Sequence, residues 1–157
     1  MKIKLLSIGK TDNKQLIKLI DEYQNRLKYY IKFDMEIIPD IKNIKKISII
    51  QQKKMEGELI LSKLKNTDQM ILLDDKGKDF TSIQFSKYLQ KKMNSGIKQL
   101  VLVVGGPYGF SEAVYEKAID KVSLSKMTFS HQMVRLFIVE QLYRGYTILK
   151  NEPYHHE

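Results

Sequence analysis

Five consecutive aliphatic residues, Leu100, Val101, Leu102, Val103 and Val104, run directly into Gly105-Gly106-Pro107. A strand with one wet face alternates apolar and polar residues. An unbroken run of this kind fits a strand covered on both faces, and so a parallel sheet between helices. Other segments agree. Lys2 to Ile8, Phe33 to Ile38 and Met70 to Leu73 read as strands, and Val122 to Leu124 as a short last one. Helical spacing fills the gaps: Asp12 to about Tyr30, Ile44 to about Lys65, Thr81 or Ser82 to Asn94, Ser111 to about Ile119, and Phe129 to Lys150. Asp74 to Lys78 reads as a polar loop and Asn151 to Glu157 as a polar tail. The strict alternation predicts an α/β fold class, a mostly parallel sheet with helices on both faces, and one domain over residues 1–157. The last helix is apolar on most faces. It is either central to the core or half of a dimer interface, and the interface reading is favoured in so small a domain.

Composition narrows the chemistry. The 157 residues contain no cysteine, which excludes disulfides, thiolate metal sites and a cysteine nucleophile. Three histidines, two of them at the tail, do not suggest a metal cage, so no metal is expected. No stretch approaches the roughly 20 apolar residues of a membrane span. Met1 to Lys10 mixes charge with apolar residues and holds no signal-peptide core, so a cytoplasmic protein is expected. The net charge of +9 points to a polyanion, most often nucleic acid, although a Lys-rich chain also follows from AT-rich coding. The first 70 residues carry 15 basic and 9 acidic groups, the remainder 12 and 9, so a binding surface belongs to the folded body and not to a tail.

Ligands of open α/β sheets sit at the carboxyl ends of the strands. Three loops qualify: Leu73 to Lys78, Gly105 to Phe110, and Leu124 to Phe129. In the second, paired glycines let a ligand approach the backbone closely. Its sequence, GGPYGF, is neither a dinucleotide fingerprint nor a P-loop. The third mixes hydroxyls with apolar side chains, which suits an adenine-containing ligand or equally a helix cap at Thr128 or Ser130. His131 and Arg135 share one face of the last helix at i,i+4. Glu140 and Arg144 do the same, as a functional pair or a simple helix salt bridge. Arg is scarce, at positions 26, 135 and 144 only, so two in one helix point to use of the planar guanidinium. Tyr154 and His155 in the tail are solvated, or else stack on a base and handle its proton. The Asp74-Asp75 pair reads as a solvated loop.

The G-G-P-x-G loop, the S-L-S-K-M-T-F-S-H-Q-M-V-R-L stretch, the E-Q-L-Y-R-G-Y segment and the terminal P-Y-H-H resemble the ribosomal RNA large-subunit methyltransferase H family of SPOUT enzymes. The likeness covers essentially the whole chain and is most specific in the C-terminal third. It implies a SPOUT-type fold with a C-terminal trefoil knot and a homodimer. It implies S-adenosylmethionine as cofactor and methylation of N3 of a pseudouridine in 23S rRNA of the assembled ribosome. Position by position, it assigns the cofactor to Leu73, Gly105, Leu124, Ser125, Lys126, Met127, Thr128 and Phe129. It assigns the methyl-acceptor cleft to His131, Arg135, Arg144, Tyr154 and His155. Methyl transfer from a sulfonium is an in-line displacement governed by positioning. The acceptor imide must lose a proton, so a cation, Arg135 or Arg144, and a proton acceptor, His155 or a water, are expected. Two other functions compete: a non-catalytic RNA- or ribosome-binding protein on a SPOUT fold, and a small-molecule enzyme whose Gly-rich loop holds another nucleotide.

Overall fold

The computed structural model describes residues 1–42 and 47–156. Its elements are β1 (Lys2–Ile8), α1 (Lys14–Leu27), β2 (Phe33–Ile38), α2 (Ile49–Ser62), β3 (Asp68–Asp79), α3 (Ser82–Asn94), β4 (Gln99–Val104), α4 (Glu112–Lys117), β5 (Asp120–Ser123) and α5 (His131–Leu149). The five strands form one sheet in the order β2-β1-β4-β3-β5, and every pairing is parallel. The Leu100–Val104 run lies in β4, the middle strand, buried along its length.

Side-chain alternation divides the core into two layers. Leu5, Ile71, Leu100, Leu102 and Val104 pack with Leu27 of α1, Leu89 of α3, and Ile138, Val139 and Leu142 of α5. Leu6, Leu72, Val101 and Val103 face the other way, onto Ile60 of α2 and Val114 of α4. The last helix is therefore core on its inner side, in contact with both α1 and α3. Met133, Leu136 and Phe137 on the same helix stay half-buried and outside both clusters.

Several boundaries differ from the sequence reading by two residues or more, these three among them. The expected start of α2 at Ile44 lies outside the described residues. Ser48 caps the helix, with its hydroxyl accepting from Gln51 N–H and the Gln51 side chain accepting from Ser48 N–H. β3 continues through the expected polar loop to Asp79. Leu73 and Lys78 both pair with Val122, so residues 74–77 bulge out of the ladder between them. Third, β5 begins at Asp120, two residues before the expected start at Val122.

Candidate functional site

A cavity of about 390 Å³ opens at the carboxyl ends of β3, β4 and β5. Its walls come from the three loops expected to bind a ligand, plus the first turn of α5. Leu73, Gly105, Leu124, Ser125, Met127, Thr128 and Phe129 all line it; Lys126 does not, and is exposed. The volume falls in the range of small-molecule sites, roughly 300–1,000 Å³.

Local sequence explains the shape. Gly109 N–H donates to Gly106 carbonyl at 3.2 Å, closing the GGPYG loop into a tight turn with Gly109 at φ 77°. Ser123 Oγ donates to Ser125 carbonyl at 2.8 Å, and Ser125 Oγ accepts from Met127 N–H at 2.9 Å, so the third loop curls on its own hydroxyls. Ser130, not Thr128, caps α5. The Phe129 and Phe137 rings meet at 4.9 Å and tie that loop to the helix.

The bulge adds Asp74 and Asp75 to the cavity wall. Burial opposes ionisation of Asp74, but hydrogen bonds from the Tyr115 hydroxyl and Lys76 N–H outweigh it and hold the carboxyl below its usual range. The site therefore carries negative charge at neutral pH. The sequence reading put both acids in a candidate ligand loop but took the pair as solvated; Asp75 is exposed, whereas Asp74 is half-buried.

The five residues assigned to the acceptor cleft do not lie together. His131 lines the cavity, and burial and the Arg135 charge keep it neutral to lower pH than an ordinary histidine. Arg135 is 0% exposed. It donates to Ile8 carbonyl at 2.6 Å and to Thr11 Oγ1 at 2.8 Å, pinning the β1–α1 connection to α5. In this conformation its guanidinium is closed off from any acceptor.

Arg144, Tyr154 and His155 form a separate group. Arg144 lies 13 residues beyond His131, about 20 Å along the helix at 1.5 Å per residue. Asn151, in the left-handed region at φ 54°, ends α5. Glu152 N–H donates to Thr147 carbonyl and Asn151 N–H to Ile148 carbonyl, the paired bonds of a Schellman cap. That cap turns the tail back along the helix. Arg144 donates to Glu140 Oε1 through Nη2 at 2.6 Å and through Nε at 3.0 Å. It also stands 4.7 Å from the Tyr154 ring centroid and 3.3 Å from His155 Nδ1. The Tyr154 hydroxyl donates to Glu140 Oε1 at 3.1 Å. Glu140–Arg144 is thus a helix salt bridge and also the base of the tail cluster.

The comparisons with known proteins bear on this arrangement. A family model described as predicted SPOUT methyltransferase matches residues 1–155.

The chain belongs to the SPOUT methyltransferase family.

Among curated relatives, the ribosomal RNA large subunit methyltransferase H proteins of Flavobacterium johnsoniae and Flavobacterium psychrophilum are 71% and 70% identical, each over the full length of both chains. The protein of the same name from Parabacteroides distasonis is 64% identical, again over both full lengths. Membership matches the all-parallel sheet. It also implies a methyl donor, and the cavity fits S-adenosylmethionine on three counts. Apolar walls from Leu73, Val104, Leu124 and Phe129 suit an adenine ring. Gly105 and Gly106 pack so closely on Phe110 and Glu56 that no Cβ fits, so bare loop backbone forms that part of the wall. The Asp74–Asp75 edge suits a cation.

Proposed function

We infer that this chain uses S-adenosylmethionine to methylate N3 of a pseudouridine in 23S rRNA of the assembled ribosome. The observation that carries the reading is the cavity at the ends of β3, β4 and β5, built from the segments to which the resemblance assigns the donor. The relatives named ribosomal RNA large subunit methyltransferase H support the RNA substrate. The bound donor supplies an electrophilic methyl group on a sulfonium. Leu73, Gly105 and residues 124–129 hold it, with Lys126 at the exposed rim. Arg144 balances the imide anion of the acceptor, and His155 or a water takes the N3 proton. Arg135 acts by holding the first turn of α5 in place.

Donor pocket and Arg144 cluster stand at opposite ends of α5 in one chain. A homodimer resolves this: the Arg144–Tyr154–His155 end of one subunit meets the pocket of the other. The half-buried apolar strip of Met133, Leu136 and Phe137 supports such a contact. The loops of the pocket are the region where the resemblance places a trefoil knot. The net charge of +9 holds the RNA backbone, and the setting is the bacterial cytoplasm, where ribosomes are.

The test is mass mapping of the methylated nucleotide. Ribosomes from cells lacking this protein are incubated with it and labelled donor. Label at N3 of one 23S pseudouridine is expected. Donor binding without label in any ribosomal RNA would overturn the activity, and absence of donor binding would favour the non-catalytic RNA-binding alternative.

A further inference from the structure

A carboxyl group behind the donor pocket has no part in the chemistry above. Glu56, in the middle of α2, is 4% exposed. Its Oε1 accepts from Gln52 Nε2 at 2.8 Å. Its Oε2 has no hydrogen-bond partner, a state that buried carboxyl oxygens rarely occupy without a use. The carboxyl lies against the Gly106 backbone. A Cβ on Gly106 would come within 2.8 Å of Glu56 Oε1 and Cδ and nearer still to Oε2. The adjacent Gly57 packs the same helix onto the far end of the loop: a Cβ there would run into the Ser111 hydroxyl and lie 3.2 Å from Val114 Cγ2. Successive residues of α2 thus support both ends of the Gly105–Ser111 loop, whose Gly105, Gly106, Pro107 and Gly109 line the pocket.

Resting on the methyl-donor reading of that pocket, we propose that Glu56 is a positioning residue, whose carboxyl group holds the Gly105–Pro107 backbone in the shape that receives the donor. The group is also charge-sensitive. Burial pushes its carboxyl above the ordinary range, the Gln52 amide opposes that rise, and Asp40 adds to it. Gln52 on its own helix and Asp40 after β2 face it, with the Gly106 backbone on the loop side; Ser111 and Val114 of the α4 end are uncharged. A cation seated on the other side of Gly106 favours the ionised carboxyl. Donor binding therefore releases a proton, and affinity rises with pH while Glu56 ionises.

Calorimetric titration of the full-length protein with S-adenosylmethionine, in buffers of different ionisation enthalpy, tests this. Wild-type affinity should rise by at least about threefold, with proton release, as pH is raised from the ordinary carboxylate range to mildly alkaline conditions. Glu56→Gln, which keeps the shape and also keeps His131, should lose that slope and release no proton. Glu56→Ala should weaken the donor by about tenfold while the ribosome KM in the methylation assay stays within about twofold, a split of donor from acceptor binding. A wild-type slope in Glu56→Gln, or unchanged donor affinity in Glu56→Ala, overturns the role. If Glu56→Ala fails to fold, the Glu56→Gln slope alone decides. Failure of folded wild type to bind the donor at all would overturn the pocket reading itself and the proposal with it.

Discussion

The separation of the two clusters along α5 yields a complementation experiment. Arg144→Ala removes the guanidinium that anchors Tyr154 and His155 but leaves its own donor pocket, about 20 Å away along the helix, intact. Gly106→Val does the reverse: its side chain collides with the Glu56 carboxyl and should force the loop backbone that lines the pocket out of shape, while Arg144 is untouched. Alone, Arg144→Ala should lose about 10²–10³-fold in single-turnover rate, the usual effect of deleting one charge-stabilising donor. Its donor affinity should stay near wild type. If each site takes its pocket from one subunit and Arg144 from the other, a mixed dimer regains one of its two sites. Random assortment makes about half of the dimers mixed, so the co-expressed pair should recover about a quarter of wild-type activity from two nearly dead parents. The assay is methyl incorporation into ribosomes by differently tagged, co-purified subunits, with dimer content measured by light scattering. Activity no greater than the average of the parents, in a sample shown to contain mixed dimers, would refute the two-subunit site.

Two further outcomes follow from the fold. Leu142→Ala removes a fully buried side chain of the α1–α3–α5 layer and should cost about 2–5 kcal/mol in denaturant unfolding, whereas a merely interfacial α5 would show no such loss below the dimer dissociation concentration. Glu36, bonded to Lys4 at 2.8 Å and Lys63 at 3.0 Å, has its carboxyl lowered from 4.5. Its contribution is present above pH 4.5 and fades as pH falls through the lowered folded value, so Glu36→Gln should flatten the acid limb of a stability–pH curve.

The sheet was legible because burial on two faces leaves a mark in a single strand: Leu100–Val104 has no polar break. The extension of β3 was not, because Lys78 and Asp79 are held by backbone bonds to β5 and not by apolar side chains. Spacing put His131 and Arg135 on one helix face, but it carries no depth, and Arg135 proved to be enclosed by the β1–α1 connection. The resemblance put Arg144, Tyr154 and His155 in one acceptor cleft with His131, and the structure of one chain sets them apart from it. Their link to each other hangs on Asn151. Asparagine tolerates the left-handed backbone that a Schellman cap needs, a local signal readable only once the helix end is known.

The acids at the pocket raise a problem that the net charge alone would hide. A chain of +9 suits RNA, yet the proposed donor, S-adenosylmethionine, is a cation and needs the opposite field. Asp74 and Asp75 supply it locally at the pocket wall, while the excess of basic groups is spread over the rest of the chain. The same acids bear on turnover. In the proposed reaction the product's sulfur would be a neutral thioether, and the attraction that favours the donor would be lost. Asp74 is the better probe of the pair, since the Tyr115 hydroxyl and Lys76 N–H keep it ionised and fixed. Asp74→Asn keeps the size and removes the charge. It should weaken S-adenosylmethionine by about tenfold, close to 1.4 kcal/mol, and leave S-adenosylhomocysteine within about twofold. Competitive calorimetry measures both. Equal weakening of the two ligands would mean that Asp74 shapes the wall without reading charge, and product release would then need another cause.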